Sequence, residues 1–293
     1  MPDYRFAQVD VFTNSPFGGN QLAVFSDARG LEAAQMQAIA REMNFSESTF
    51  VFPPDDPAND ARVRIFTPGQ ELPMAGHPTV GTAWVLGTER NRDRLTFELG
   101  VGPTPVTVRR ESVFRGAATM RQQPPTFRET SVSNEQAAAL LSLEAEAVHP
   151  DLPILHGGAG VDYLYVPLRS RELLAAARPN TTAMEAFFGD SFHRAVYAFS
   201  TEPDAVSDVR GRMFFLVNGA PLEDPATGSA AGPLGGYLVN QGVCAPGLIR
   251  LQQGYEMGRP SDMDVTVEGA ANAVEAVYVG GGVVKVAEGV LWA

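Results

Sequence analysis

A short motif occurs twice in this chain, and the spacing of its two copies limits the possible folds more than any other feature. Residues 77–83 read HPTVGTA and residues 224–230 read DPATGSA, with matching Pro, Gly and Ala and a Thr/Ser exchange. The copies start 147 positions apart, which is half of the 293 residues. Three identities in seven positions can arise by chance, but the half-length spacing favours two pseudo-equivalent domains over one large α/β domain.

A change in composition near the middle of the chain indicates the boundary between these domains. Residues 120–135 are rich in Gln, Pro, Thr and Ser, which is typical of a linker. We therefore predict an N-terminal domain over residues 1–125 and a C-terminal domain over residues 126–293, with the extreme C-terminus free to return to the first domain. Both halves mix predicted strands with predicted helices.

The helices that follow the two motif copies differ in composition. The first, over residues 78–86, is continuous and apolar, whereas the second, over residues 227–239, contains Pro233 among several glycines. Proline removes a backbone donor and glycine weakens a helix, so the second helix is expected to be kinked or to start late. The alternative is that the small residues allow strands to wrap tightly around it.

The overall composition excludes several classes of protein. The chain carries 34 acidic and 22 basic residues, a net charge of −12, and a phosphate backbone would be repelled by it. The sequence has no long apolar run and no signal peptide, which predicts a cytoplasmic protein that contacts neither membranes nor nucleic acid. The single cysteine, Cys244, excludes an internal disulfide, and His149, His156 and His193 lack metal-ligand spacing, so no metal site is expected.

Each motif copy opens with a titratable residue at a predicted helix start. His77 stands before Pro78, and Asp224 stands before Pro225. Proline suits the first turn of a helix, and the free amides of that turn bind carboxylates or phosphates. The simpler interpretation is a pair of ordinary proline-initiated helices with Asp224 as an N-cap. The presence of both copies favours anion binding.

One carboxylate precedes a predicted strand in a polar segment. Glu47 lies within residues 44–49, between a predicted helix and a predicted strand, where a side chain can be held at the end of an element and still reach a cavity. A solvated loop carboxylate is the usual fate of a lone glutamate, and residue types alone favour that simpler interpretation.

Five blocks of sequence, in order along nearly the whole chain, point to a known family. They are GGNQLAVF at 18–25, NFSEST at 44–49, GHPT at 76–79, EDPATGSA at 223–230 and QGYEMGRP at 253–260. Together they resemble the phenazine-biosynthesis isomerase family (PhzF-like), and five ordered blocks are far more specific than any one of them.

The resemblance implies a fold and a set of site residues. The fold is α+β and diaminopimelate-epimerase-like, with two pseudo-symmetric domains that each wrap strands around a central helix and share a cleft. Matched position by position, the catalytic residues fall on Glu47, His77 and Asp224. The substrate-binding residues fall on Asn20, Gly76, Gly228 and Ser229. The family also implies a homodimer and no cofactor.

The resemblance further implies a reaction. In a trans-2,3-dihydro-3-hydroxyanthranilate isomerase, Glu47 would take a proton from one ring carbon of a small carboxylate-bearing substrate and return it to another, while backbone amides hold the carboxylate. The related epimerases use two cysteines, which one cysteine cannot supply. The open alternatives are an epimerase or lyase of the same fold acting on another substrate, and a non-catalytic small-molecule binding protein.

Overall fold

The computed structural model describes residues 2–189, 195–217 and 219–293. Its elements belong to two units: unit 1 contains residues 1–121 and 279–293, and unit 2 contains residues 122–278. Among the helices in the described part of the chain, none is both long and apolar enough to cross a membrane.

Unit 1 contains mostly strands and two helices. Its strands are β1 (Asp3–Val11), β2 (Asn20–Phe25), β3 (Glu47–Phe52), β4 (Ala61–Phe66), β5 (Glu71–Leu72), β6 (Arg94–Leu99), β7 (Gly102–Arg110) and β8 (Arg115–Gln122). Its helices are α1 (Ala33–Met43) and α2 (Gly76–Arg90). The last strand of the chain, β17 (Ala273–Trp292), begins in unit 2 and ends in unit 1, and it is much longer than the segment 273–279 that the sequence pattern predicted.

The strand pairings of unit 1 form a closed circuit. The β1–β2 hairpin predicted from the sequence is present, β2 runs parallel to β3, and β3 pairs antiparallel with β4. Strand β4 runs parallel to β6, and β6, β7 and β8 form an antiparallel meander. Strand β17 pairs with both β8 and β1 and so completes the circuit. A circuit of this kind leaves few strand edges exposed.

Helix α2 is enclosed by these strands. Residues 76–87 of the helix are all buried. A Cβ atom added to Gly81 would lie 2.7 Å from Leu22 Cδ2 and 2.8 Å from Val11 Cγ2. On other sides of the helix, Thr82 hydrogen-bonds to Thr49 of β3 at 2.8 Å, and Gly87 faces Val108 of β7. The strands therefore approach this helix too closely for a larger side chain at position 81.

Helix α1 packs on the outer side of β2 and β3. Its apolar stripe, predicted from the i, i+3, i+4, i+7 spacing, buries Met36, Ile39 and Ala40. The stripe covers an aromatic cluster in which the rings of Phe25 and Phe50 stack at 4.9 Å. Full burial of each such side chain stabilises the folded chain by about 1.5–3 kcal/mol.

Unit 2 contains more helices. Its strands are β9 (Thr126–Glu129), β10 (Leu155–Gly158), β11 (Asp162–Leu168), β12 (Ala195–Ser200), β13 (Val209–Val217), β14 (Ala220–Asp224), β15 (Gly247–Gln253) and β16 (Ser261–Ala270). Its α-helices are α3 (Asn134–Leu140), α4 (Arg171–Ala176), α5 (Thr181–Phe188) and α6 (Gly228–Asn240). Short 3₁₀ turns lie at Ala145–Ala147 and Tyr255–Met257. The predicted capping box of Ser133 and Gln136 starts α3, whereas the predicted linker contains β9.

The order of strand pairing in unit 2 is the same as in unit 1. An antiparallel hairpin (β10–β11) is followed by a parallel pair (β11–β12) and two antiparallel pairs (β12–β13 and β13–β14). After the buried helix α6 come a parallel pair (β13–β15) and an antiparallel pair (β15–β16). In unit 1 the corresponding helix is α2.

Helix α6 contains Pro233 but does not start late. It begins at Gly228, five positions before the proline, and all of its residues up to Val239 are buried. A Cβ atom at Gly235 would lie 2.6 Å from Val265 Cγ1 of β16. Small residues are therefore required in α6 for the same reason as Gly81 in α2. In both helices the surrounding strands approach the buried helix closely.

These contacts predict the effect of alanine at the two helical glycines. Alanine normally stabilises a helix interior by up to about 1 kcal/mol relative to glycine. We expect Gly81→Ala and Gly235→Ala instead to lower the free energy of unfolding by about 1–3 kcal/mol, because the added methyl group overpacks the core. Urea denaturation measures both values.

Gly69→Ala is the matched control, because its Cβ would approach no closer than 3.8 Å, to Thr67 Oγ1. We expect its unfolding free energy to stay within about 0.5 kcal/mol of the parent chain. A gain in stability at position 81 or 235 would contradict the close packing described above.

Candidate active site

The predicted site residues of unit 1 lie around the start of α2. Asn20 is the first residue of β2, and Gly19 before it has a positive φ of 62°. A Cβ at this glycine would lie 2.3 Å from the Val11 carbonyl oxygen, so only glycine fits the turn. The Phe17 amide donates to Asp10 Oδ2 at 2.6 Å and holds the same loop. The loop between β1 and β2 is longer than a simple turn because it places Asn20 against α2.

Glu47 and His77 are in direct contact. Glu47 is the first residue of β3 and pairs with Leu22 of the parallel strand β2. Its Oε2 lies 3.2 Å from Nε2 of His77, and the side chains are 14% and 4% exposed respectively. The other ring nitrogen of His77, Nδ1, lies 3.1 Å from Nδ2 of Asn20. Of the two interpretations of Glu47 given above, a carboxylate held at the end of an element describes this position better than a solvated loop carboxylate.

His77 is a neutral imidazole at neutral pH. Burial lowers the pKa of His77 to about 3, and a hydrogen bond with the Gln21 backbone only partly opposes that effect. A fully enclosed imidazolium would lose its hydration, which disfavours the charged form. The Glu47–His77 contact is therefore a contact between a carboxyl group and an uncharged ring.

The first turn of α2 provides backbone amides beside His77. The helix begins at Gly76, and its N-cap residue, Ala75, makes no side-chain cap. The Thr79 hydroxyl donates to the Ala75 carbonyl at 2.7 Å, and Pro78 has no amide hydrogen to donate. The amides of Gly76 and His77 belong to the first turn, which has no intrahelical acceptors. This turn can accept an anionic group.

In unit 2, the predicted site residues lie between β14 and α6. Asp224 ends β14, where it pairs with Met213 of β13, and it is 8% exposed. The Thr227 hydroxyl donates to Asp224 Oδ2 at 2.6 Å. Thr227 is also the N-cap of α6, without a side-chain cap bond to the helix. The Asp224 carboxylate is thus held by the turn that starts the helix.

Gly228 and Ser229 are the first two residues of α6. The Ser229 hydroxyl is 2.7 Å from the hydroxyl of Tyr163, and both residues are buried. Gln122 donates from Nε2 to the Gly228 carbonyl at 2.9 Å. The amides of Ala230 and Ala231 donate to the Thr227 carbonyl, so the amides of Gly228 and Ser229 precede the first helical hydrogen bonds.

The structure corrects two sequence-based expectations about these motifs. Pro225 was expected in the first turn of a helix, but it lies three residues before α6, because Asp224 still belongs to β14 and residues 225–227 form the turn. The two glycines that follow His156 predict a loop at that position, but His156 lies in β10 and pairs with Leu164. His193 lies outside the described residues.

Several contacts in unit 2 were not anticipated from the sequence. Thr227 and Gln253 stood inside blocks of the family resemblance without a role, and Tyr163 was not singled out at all. A residue's position in a motif gives no signal of the partner it contacts across the fold, and these partners lie as many as 66 positions apart. The sequence predicted only a strand near residues 162–167, which includes Tyr163.

The remaining candidate groups do not form a metal site among the described residues. No group of three His, Cys, Asp or Glu side chains in that part of the chain is arranged to hold a metal ion. Cys244 lies after α6, and burial raises the pKa of its thiol, with a further contribution from Asp208. A raised pKa makes a thiol a poorer nucleophile at neutral pH.

The chain is similar to known proteins over its whole length. A trans-2,3-dihydro-3-hydroxyanthranilate isomerase of Pseudomonas aeruginosa is 41% identical over 287 residues, which cover 98% of each chain. The crystal structure of a PhzF-family phenazine biosynthesis protein from Bacillus anthracis superposes with a TM-score of 0.88 at 28% identity, covering 100% of both chains.

A more distant structure shows the wider fold. A hydroxyproline epimerase from Agrobacterium vitis has a TM-score of 0.67 at 12% identity, covering 99% of this chain and 91% of the epimerase, so the two proteins share a fold. The sequence also matches the family described as phenazine biosynthesis-like protein over residues 9–289. The chain therefore belongs to the PhzC-PhzF family, as the five sequence blocks predicted.

Proposed function

We propose that this protein is a cofactor-independent isomerase that moves a proton on a small carboxylate-bearing substrate, with Glu47 as both acid and base. The observation that carries the proposal is the Glu47 carboxylate, 14% exposed and 3.2 Å from a neutral imidazole at a helix start. The named activity of the 41% identical relative supports trans-2,3-dihydro-3-hydroxyanthranilate, or an acid of the same type, as the substrate.

The neutral state of His77 suits a proton shuttle at Glu47. Burial lowers the pKa of His77 to about 3, so the ring is uncharged at neutral pH and we do not assign it the proton that moves. The Glu47 carboxyl group, whose acidic proton exchanges with solvent, then protonates the second carbon of the substrate, and we assign His77 to hydrogen bonding.

The helix starts supply the attraction for an anionic substrate. The chain has a net charge of −12, so its overall field repels a carboxylate. Local amides at the N-terminus of a helix oppose that repulsion, because they carry partial positive charge and can donate hydrogen bonds. We assign this role to the amides of Gly76, Gly228 and Ser229, and we assign Asn20, His77 and Asp224 to hydrogen bonds with the substrate.

A proton shift between two carbons leaves the oxidation state of the substrate unchanged. The reaction breaks one C–H bond, forms another and moves a double bond, so it needs a base and a conjugate acid but no electron acceptor. One carboxyl group can provide both in turn. We also propose that units 1 and 2 are two pseudo-symmetric domains, which the identical order of strand pairing in the two units supports.

Replacement of the proposed acid–base residue tests the mechanism directly. Gln has the shape of Glu but cannot carry the proton. We expect Glu47→Gln to lower the rate of deuterium incorporation from D₂O into the isomerised product by about 10²–10⁴-fold, measured by NMR with trans-2,3-dihydro-3-hydroxyanthranilate.

Glu42→Gln is the matched control, because Glu42 is an exposed residue of α1 in the same unit. We expect it to incorporate deuterium at the parent rate. Incorporation by Glu47→Gln at that same rate, with both proteins folded, would rule out Glu47 as the proton carrier.

The lowered pKa of His77 predicts a dependence of stability on pH. The unfolded chain takes up a proton on this histidine near pH 6.5, whereas the folded chain does so only near pH 3. The free energy of unfolding therefore falls as the pH drops from about 6.5 towards 3, by up to about 1.4 kcal/mol per pH unit from this group. Urea denaturation at a series of pH values measures the slope.

His77→Gln removes the titrating ring and keeps a polar side chain. We expect the variant to lose stability less steeply than the parent chain between pH 6.5 and 4, even if its stability at pH 7 is lower. Equal slopes in the two proteins would mean that His77 accepts a proton as readily in the folded chain as in the unfolded one.

A further inference from the structure

Gln253, at the end of β15, is fully buried and makes every hydrogen bond that its amide allows. Its Oε1 accepts from the Tyr197 hydroxyl at 2.9 Å and from the Thr227 amide at 3.2 Å. Its Nε2 donates to the Asp224 carbonyl at 2.7 Å and to Thr227 Oγ1 at 3.0 Å. Burial raises the pKa of Tyr197, so its hydroxyl stays protonated and acts as a donor. These four bonds allow one orientation of the amide.

The orientation of this amide determines where the Thr227 proton points. Thr227 Oγ1 accepts a hydrogen bond from Gln253, and a hydroxyl has a single proton to donate. That proton goes to Asp224 Oδ2, at 2.6 Å. Hydrogen bonds to a carboxylate are short and strong, as this distance indicates. Each group therefore donates a hydrogen bond to the next: Gln253 donates to Thr227, and Thr227 donates to the Asp224 carboxylate.

The same amide also holds the backbone on both sides of the turn. It binds the carbonyl of Asp224 and the amide of Thr227, which are the two ends of the segment that connects β14 to α6. The next residue, Gly254, passes so close that a Cβ there would lie 2.5 Å from the Pro225 carbonyl oxygen. Strand β15 therefore packs directly against this turn.

We propose that Gln253 and Thr227 are positioning residues that hold the Asp224 carboxylate in the single orientation used in the reaction. This inference rests on the proposed function, in which Asp224 contacts the substrate. Gln253 acts through Thr227 and the backbone of the turn and does not itself contact the substrate. Apolar packing could stabilise a buried strand end without an amide, but it could not orient the Thr227 proton.

The first test compares variants of Thr227 and Gln253 with a matched variant of the preceding residue. Gln252 is also buried, but its bonds go to Ser207, Arg210, Tyr255 and Asp262. We expect Gln253→Leu and Thr227→Val to lower kcat by about 10- to 100-fold, as loss of orientation at a reacting group does, while KM changes less. Thr227→Ser keeps the hydroxyl and should retain kcat. Gln252→Leu should lower Tm but leave kcat near the parent value.

A second variant gives a signature that a purely structural role would not produce. Gln253→Glu has the same shape, but an ionised Glu offers no donor to Thr227 or to the Asp224 carbonyl. A protonated Glu offers one donor. The new carboxyl group would lie beside the Tyr197 hydroxyl and Asp224, and burial favours the neutral form of that carboxyl group. We expect kcat of this variant to fall as the pH rises through the pKa of the new carboxyl, a step absent from the parent chain.

Asp224→Asn, assayed beside these variants, distinguishes a failure of the proposed function from a failure of the positioning inference. Parent rates for both Asp224→Asn and Glu47→Gln would overturn the proposed function. A slow Asp224→Asn with parent rates for Gln253→Leu and Thr227→Val would overturn only the positioning inference.

A crystal structure of Gln253→Leu tests the inference without any substrate. We expect the Asp224 carboxylate or the Thr227 hydroxyl to leave the 2.6 Å contact seen in the parent chain. An unchanged contact and an unchanged turn would show that Gln253 does not position Asp224.

Discussion

The structure depends on one packing constraint, the burial of an apolar helix inside strands that surround it. In unit 1 the paired strands close around α2, and in unit 2 the helix α6 is buried from Gly228 to Val239. Strands can approach a helix this closely only where the helix carries small side chains, as at Gly81 and Gly235. The cost of glycine in a helix is accepted at these positions because any larger residue would push the strands away.

This constraint also creates the chemistry at the helix starts. A helix that is buried along its length brings its first-turn amides, which have no intrahelical acceptors, to polar groups contributed by the strands around it. At α2 these groups are Asn20 and Glu47, which stand at the first positions of neighbouring parallel strands. Enclosure keeps His77 neutral beside the Glu47 carboxylate. At the start of α6, the turn from Asp224 to Thr227 lies in the second copy of the motif, at the position that His77 and its neighbours occupy in the first copy.

Much of this arrangement could be predicted from residue patterns. Local patterns gave α1 and most strands correctly, because the helical spacing of apolar residues in α1 and the short apolar or alternating runs of the strands are visible in the sequence. The repeated motif predicted both buried helices and their flanking titratable residues. Predictions failed where a neighbour distant in sequence decides the conformation. Pro225 was expected in the first turn of the helix because proline suits that position, but Asp224 pairs with Met213 in β14, residues 225–227 form a turn, and the helix begins at Gly228.

The sequence by itself determined the family, the positions of both helix starts to within a few residues, and the candidate residues Glu47, His77 and Asp224. The family and these candidates come from the resemblance of five ordered blocks to known proteins, and the helix starts come from local residue patterns, all of which the linear chain contains. Only the tertiary structure showed that Glu47 lies 3.2 Å from His77, that burial keeps the imidazole uncharged, and that Gln253 donates a hydrogen bond to Thr227. Burial and hydrogen-bond direction depend on which distant strands surround a side chain, and that is a property of the folded chain alone.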